Sequence, residues 1–148
     1  MYDRAMVMNL DDKSEPFTPR KWGQVFITVE RFEQLIAEAQ KEYELTERNR
    51  ARLEELDKYL IANFHITFGN RIMKQIRQYI PNFVACGGEE LEALDDILAK
   101  KILRKLEMQN PVLVKNAAPG LLAYLDELFG TDKMKMCKAF IHRLERNA

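Results

Sequence analysis

The stretch ITFGNRIMKQI at residues 66–76 places residues suited to anion binding at a predicted helix start. Thr67 is a suitable N-cap, so Arg71 would occupy the fourth helical position. The backbone N–H groups of a first helical turn lack intrahelical partners and carry partial positive charge. Gly69 has no side chain to block an approaching group, Asn70 adds an amide, and the forked guanidinium of Arg71 matches a phosphate.

Arg71 also has a simpler interpretation, as a surface arginine near a helix start. A cation in the first turn is mildly unfavourable because it lies at the positive end of the helix dipole. That small cost favours a functional role for Arg71, and the residues alone leave both interpretations open. The chain contains no phosphate-binding loop of the type Gly-x-x-x-x-Gly-Lys-Ser/Thr that would hold a nucleotide beside Arg71.

The other chemistry-bearing residues form no recognisable active-site motif. The serine-hydrolase pattern Gly-x-Ser-x-Gly and the zinc pattern His-Glu-x-x-His are both absent from the sequence. His65 and Cys86 lie near the third predicted helix without a residue that would orient them, and His142 has no acidic or thiol residue four positions away. Asp95 and Asp96 are adjacent, so on a helix they would point about 100° apart. We expect neither a self-contained active site nor a metal site.

Composition narrows the class of protein. The 148 residues suit one domain or two small ones, and 47% apolar with 31% charged residues suffices for a core. Lys plus Arg and Asp plus Glu number 23 each, which is not typical of proteins that coat nucleic acid, although a local basic face stays open. The sequence has neither an apolar run of about 20 residues nor a signal-peptide pattern. We expect Cys86 and Cys137 to be buried or half-buried structural thiols in a reducing, cytoplasmic compartment.

The N-terminal part of the chain predicts a strand and a loop. The apolar run AMVMNL at residues 5–10 reads as a strand without a nearby partner, so we expect it to be the edge of a sheet in a missing preceding domain. Residues 13–27 predict an ordered loop held in place by Phe17, Trp22 and Phe26.

From residue 28 onward the sequence predicts helices, of which the longest covers residues 89–108. We expect Pro81 to interrupt the third helix, Pro119 to start a helix and Gly130 to follow a helix end. The predicted N-caps are Thr28, Thr46, Thr67 and Thr131. The stripe of the first helix predicted to face the core is Val29, Phe32, Leu35, Ile36, Ala39 and Tyr43.

Three segments together resemble a known family. YDRAMVMNL at residues 2–10 looks like the end of the α/β core of AAA+ nucleotidases of the dynein-related group, which includes the GTP-driven McrB restriction subunit and the MoxR-like ATPases. ITFGNRIMKQIRQYI at residues 66–80 resembles the start of the sensor-2 helix in the lid of that group, in the Phe-Gly-x-Arg form of McrB-like members. EALDDILAKKILRKLE at residues 92–107 resembles the lid segment that follows. The resemblance covers roughly residues 1–10 and 64–107, and it depends on the order and spacing of the segments.

The resemblance implies specific roles. Arg71, beside Gly69 and Asn70, would be the sensor-2 arginine that contacts the γ-phosphate of a nucleotide in the same subunit. Arg4 would be the arginine finger that reaches the nucleotide of a neighbouring subunit. The parent protein would hydrolyse ATP or GTP with Mg²⁺, and its partners would be its own N-terminal AAA+ core and neighbouring subunits of a ring. The Walker and sensor-1 residues of that core are missing upstream of Arg4, so we expect this chain alone to bind no nucleotide.

The predicted fold class is therefore all-α, a lid-like bundle of about six helices with one short N-terminal strand. We expect residues 1–12 to form the end of the AAA+ core and residues 28–148 to form the helical lid and a C-terminal extension. Residues 13–27 would be the loop that connects them. A free-standing helical adaptor for protein interaction is the main alternative, and no membrane partner is expected. A weaker alternative is a nucleic-acid-binding face on the last helix, formed by Lys135, Lys138, His142 and Arg146.

Overall fold

The structure, a computed structural model, describes residues 16–19, 21 and 23–147. This part of the chain is all-helical and contains six α-helices, which confirms the predicted all-α bundle. The strand predicted at residues 5–10 and Arg4 lie outside the described residues. The helices are α1 Val29–Glu42, α2 Glu47–Phe64, α3 Asn70–Ala85, α4 Glu90–Ile97, α5 Pro111–Phe129 and α6 Lys135–Asn147.

The centre of the bundle is α4 together with its continuation. α4 leads directly into a π-helical segment, Leu98–Ile102, and then into a 3₁₀ segment, Leu103–Met108. These elements cover the helix predicted over residues 89–108, whose extent is confirmed and whose hydrogen bonding is less regular than expected. α3 packs against α4, and α6 packs against α4 and both following segments, so the core forms around them. Its largest fully buried side chains in this region are Leu94, Ile97, Leu98, Ile102 and Leu103.

Two predicted threonine caps are confirmed. The Thr28 hydroxyl accepts a hydrogen bond from the Arg31 N–H at 3.2 Å, and the Thr46 hydroxyl accepts one from the Asn49 N–H at 3.4 Å. Each hydroxyl satisfies a backbone donor that a first helical turn leaves unpaired. Short local signals therefore fixed where α1 and α2 begin.

The predicted cap at Thr67 is wrong. The N-cap of α3 is Gly69, two residues later, because tertiary contacts hold the preceding chain extended. The Asp57 carboxylate on α2 accepts the Phe68 N–H at 2.6 Å, and the Lys105 ammonium donates to the Thr67 carbonyl at 3.0 Å. These contacts use backbone groups near Thr67 that would otherwise enter a helix.

Other helix boundaries also differ from their predicted positions. Pro119 lies inside α5, which starts instead at Pro111, because the Asn110 side chain accepts a first-turn N–H at 2.9 Å. A proline in the first turn costs no hydrogen bond, so the Asn110–Pro111 pair is a strong start signal. Gly130 ends α5 with φ +105°, as predicted, whereas Thr131 does not cap α6.

α3 passes through Pro81 and ends only at Ala85, so the predicted interruption at Pro81 is wrong. Pro81 itself is buried, and Ile76 and Ile80 before it are fully buried in the core. Tertiary packing of these side chains holds the helix through the position where proline removes one backbone donor.

Most of the apolar stripe of α1 faces away from the core, contrary to the prediction. Ala39 is buried and Ile36 is half-buried, but Phe32 is 55% exposed and Tyr43 is 37% exposed. α3 is the main helical neighbour of α1, and one neighbour does not cover a whole amphipathic stripe. The exposed residues of this stripe and of the chain just before it, here named the α1 apolar surface, are Val25, Phe26, Ile27, Val29, Phe32 and Leu35.

The aromatic residues predicted to hold the loop at residues 13–27 do not do so where they are described. Phe17 is 80% exposed and Phe26 is 90% exposed, so neither packs into the core. Trp22 lies outside the described residues. The prediction is therefore wrong for Phe17 and Phe26.

Candidate functional site

The predicted anion site lies at the exposed start of α3. Arg71 is exposed and is the second residue of the helix rather than the fourth, because α3 begins at Asn70. Gly69 has extended backbone angles, φ −61° and ψ 158°, and no side chain caps the turn among the described residues. The first turn also contains no acidic residue. The positive end of α3 and the guanidinium of Arg71 therefore lie in the same small region. Both groups attract an anion.

Packing among the described residues does not explain the glycine at position 69. No heavy atom of the described residues lies within 4 Å of a Cβ atom added to Gly69, and the φ of Gly69 is one that any residue adopts. By contrast, a Cβ atom on Gly88 would lie 2.1 Å from the Phe83 ring, so the fold itself excludes a side chain there. No described residue fills the space in front of Gly69.

Asn70 also lines a groove of about 470 Å³ between α2 and α3. Two further lining residues, Lys74 and Arg77, make no ion pair with any described residue. The third lining cation, Arg50, is paired with Glu47 on its own helix at 3.3 Å. Two carboxylates of α2, Glu54 and Asp57, also line this groove, so positive charge continues from Arg71 only along its α3 side. The spacing of Lys74 and Arg77, four and seven residues after Asn70, is a helical signal that sequence reasoning could have used.

The other candidate residues are not brought into a catalytic arrangement. His65 is the C-cap of α2 in the left-handed conformation, with φ 53°, and so ends that helix. The His142 ring lies 2.9 Å from the Glu145 carboxylate on the exposed side of α6. Cys86 is exposed, so the prediction of a buried or half-buried thiol is wrong for it. Within the described ranges, no group of three or more His, Cys, Asp or Glu side chains is placed to hold a metal ion.

Asp95 and Asp96 have separate structural partners. The Asp95 carboxylate accepts the Met136 and Cys137 backbone N–H groups, both at 2.8 Å, and thereby caps α6 from a different helix. The Asp96 carboxylate accepts the Tyr79 hydroxyl at 2.7 Å and is ion-paired with Lys100. Sequence reasoning expected no acid–base pair here and missed the capping role, since the two partners are 41 and 42 residues away.

Burial and contacts with Asp95 and Asp96 raise the pKa values of two neighbouring side chains. Burial, reinforced by the Asp95 carboxylate, raises the pKa of the Cys137 thiol well above its ordinary value. Burial and the hydrogen bond to Asp96 also raise the pKa of the Tyr79 hydroxyl. Both groups are thus held neutral near pH 7, and neither is suited to act as a base or a nucleophile.

The two thiols should differ sharply in reactivity. We expect iodoacetamide at pH 8 to label Cys86 in the folded protein and to label Cys137 only after unfolding, since Cys137 is fully buried and protonated. Mass spectrometry after a timed reaction would measure both sites. Cys86→Ser is the control: native labelling should disappear in it and return in denaturant. Rapid labelling of folded Cys86→Ser would contradict the assignment.

The basic face predicted on α6 is partly neutralised. The Lys138 ammonium is ion-paired with Asp126 on α5 and also donates to the Thr131 carbonyl at 2.5 Å. His142 faces Glu145, as described above. Because phosphate binding requires free cations, this surface gives the nucleic-acid alternative little support.

Comparison with known proteins yields one match. A protein-family model described as "Domain of unknown function (DUF8727)" matches residues 24–148. No curated protein and no solved structure matches the chain. In the part of the chain that the structure describes, no helix combines the length and the apolar character needed to cross a bilayer.

Proposed function

This chain belongs to the DUF8727 family, and we propose that its helices act as the lid of a AAA+ NTPase in which Arg71 contacts the terminal phosphate of ATP or GTP. The observation that carries this proposal is the position of Arg71, exposed in a first turn that no described side chain caps, directly after a glycine N-cap. A phosphate at this point would interact with the guanidinium and with the helix end at once. No described residue fills the space at Gly69, through which a phosphate would reach the backbone.

In this mechanism Arg71 stabilises charge on the phosphoryl group and also couples the nucleotide to the position of the lid. A guanidinium beside the γ-phosphate stabilises the negative charge that develops as the phosphoryl group transfers. Arg71 gains that contact only while the γ-phosphate is present, so nucleotide state would bias the position of the lid. The Mg²⁺ and the phosphate-binding loop would come from the AAA+ core. Arg4, outside the described residues, would serve as the finger toward the next subunit of a ring in the cytoplasm.

The exposure of the α1 apolar surface supports the proposal that a large protein domain packs beside this chain. Val25 is 87% exposed and Val29 is 69% exposed, although both precede or begin an amphipathic helix. Contiguous apolar surface of this kind commonly marks an interface. In the lid proposal it would be covered by the AAA+ core of the same subunit or by an adjacent subunit.

The same surface favours a second candidate function. A free-standing helical adaptor would use the α1 apolar surface to bind another protein and would need no nucleotide. It would assign Arg71 no role. The two proposals therefore differ in whether a nucleotide-binding core accompanies this chain.

The deciding experiment is to read the coding DNA directly upstream of Met1. The lid proposal expects an open reading frame of about 150–200 codons, a normal domain length, that encodes Gly-x-x-x-x-Gly-Lys-Ser/Thr. A stop codon shortly upstream, with no such core encoded, would eliminate the lid proposal. The adaptor would then be the preferred function.

A further inference from the structure

Lys101 is a mostly buried lysine whose ammonium has no partner among the described residues. Only 6% of the residue is exposed, and its ammonium makes no ion pair or hydrogen bond with any residue that the structure describes. The neighbouring Lys100 differs, because it is paired with Asp96. The stem of Lys101 is buried while its ammonium keeps some contact with solvent, and proteins normally match a mostly buried cation with an anion.

The unpaired Lys101 lines a pocket between α3 and the segment that follows α4. The pocket has a volume of about 340 Å³, which lies within the range of small-molecule sites. Its lining contains one cation and no carboxylate, so it carries net positive charge. The lining residues are Gln75, Gln78, Tyr79, Asn82, Ile97 and Lys101.

Gln75, which lines the same pocket, has a second unmatched group. The Gln75 side-chain oxygen is buried and accepts no hydrogen bond from the described residues. Two other lining groups already have partners, since the Tyr79 hydroxyl donates to Asp96 and the Asn82 amide donates to the Gln78 carbonyl at 2.7 Å. The pocket therefore lacks an anion for Lys101 and a hydrogen-bond donor for Gln75.

The backbone around Lys101 is also unusual. Lys101 belongs to the π-helical segment Leu98–Ile102, and such segments are rare and frequent at functional sites. A π-helical turn contains more residues than an α-helical turn, so it changes the direction in which the following side chains point. The irregular segment thus coincides with the buried cation and with the pocket.

We propose that this pocket binds a small carboxylate that also carries a hydroxyl or amine hydrogen-bond donor. The carboxylate pairs with the Lys101 ammonium, and the donor binds the Gln75 oxygen after the Gln75 amide turns toward the pocket. This ligand lies between α3 and the core segment, and it is distinct from any phosphate at Arg71. The proposal does not depend on the AAA+ assignment.

The test uses the full ¹⁵N-labelled chain and two probes, glycolate and acetate, at constant ionic strength. Both probes carry a carboxylate, and only glycolate adds a hydroxyl. We expect glycolate to cause saturable shifts in the amide signals of Gln75, Gln78 and Asn82. We expect acetate to bind about 10-fold more weakly, because it leaves the Gln75 oxygen without a donor.

Three variants separate the contributions. Lys101→Met keeps the length of the side chain and removes its charge, so the affinity for both probes should fall by about 10- to 100-fold. Gln75→Leu should erase the preference for glycolate over acetate. Lys74→Met makes the same change in charge in the other groove and should leave both affinities unchanged.

Two results would overturn the proposal. The first is the absence of saturable glycolate shifts at the pocket residues of the wild-type chain. The second is equal glycolate affinity in Lys101→Met and Lys74→Met, which would mean that the Lys101 ammonium only reaches solvent at the pocket mouth. If Lys101→Met does not fold, the Gln75→Leu variant decides. A preference for glycolate over acetate that is as large in Gln75→Leu as in the wild-type chain would overturn the proposal.

Discussion

Replacing Arg71 with alanine is expected to slow nucleotide hydrolysis by the proposed complete NTPase by roughly 10²- to 10³-fold. The guanidinium would no longer stabilise the charge on the transferring phosphoryl group, and the lid would lose its contact with the γ-phosphate. Folding should be unaffected, since Arg71 is exposed and lies at the unfavourable end of the α3 dipole. Steady-state hydrolysis by the protein translated from the longer reading frame measures the effect.

Two further variants make this measurement specific. Arg77→Ala removes an exposed cation later in the same helix and should change hydrolysis little. Arg71→Lys keeps the charge but loses the forked geometry, so it should give an intermediate rate. Equal losses in Arg71→Ala and Arg77→Ala would point to the general positive charge of α3 and would contradict a specific sensor role.

Replacing Asp95 with alanine is expected to lower the free energy of unfolding of this chain by roughly 3 kcal/mol. Asp95 is buried and accepts two backbone N–H groups of α6, so alanine leaves both donors without their acceptor. Asp95→Asn retains one acceptor oxygen and should lose only about 1–2 kcal/mol. Urea unfolding of the full chain, followed by circular dichroism, measures both values.

Asp132→Ala is the matched control for the Asp95 variants. Asp132 is an exposed carboxylate in the short connection between α5 and α6, close to the same helix start. Its removal should change the free energy of unfolding by less than about 0.5 kcal/mol. Similar losses in the two alanine variants would show that negative charge near α6, rather than capping by Asp95, stabilises the helix.

Local signals in the sequence predicted several helix ends correctly. Thr28 and Thr46 cap helices as expected, and Gly130 ends α5, because each effect depends on a residue and its nearest neighbours along the chain. The sequence also placed Gly69, Asn70 and Arg71 at one helix start. Their adjacency in the chain was enough for that, although the register of Arg71 within the helix was wrong by two positions.

Distant contacts explain the boundaries that the sequence missed. α6 has no local cap at Thr131, because its first N–H groups bind Asp95 on α4. α3 starts after Thr67 because Asp57 and Lys105 hold the preceding backbone. Each partner is many residues away, and a single sequence gives no measure of such distances.

The sequence by itself determined the helical class and the approximate number of helices in the described part of the chain, since hydrophobic periodicity reports which side of a helix avoids water. Only the tertiary structure decided which apolar faces find a partner. It buried Ile72 and Ile76 of α3 and left Phe32 and Leu35 of α1 exposed, although both helices have similar patterns. It also brought Lys101 and Gln75 to one pocket, because burial depends on what lies opposite a helix, which its own residues do not encode.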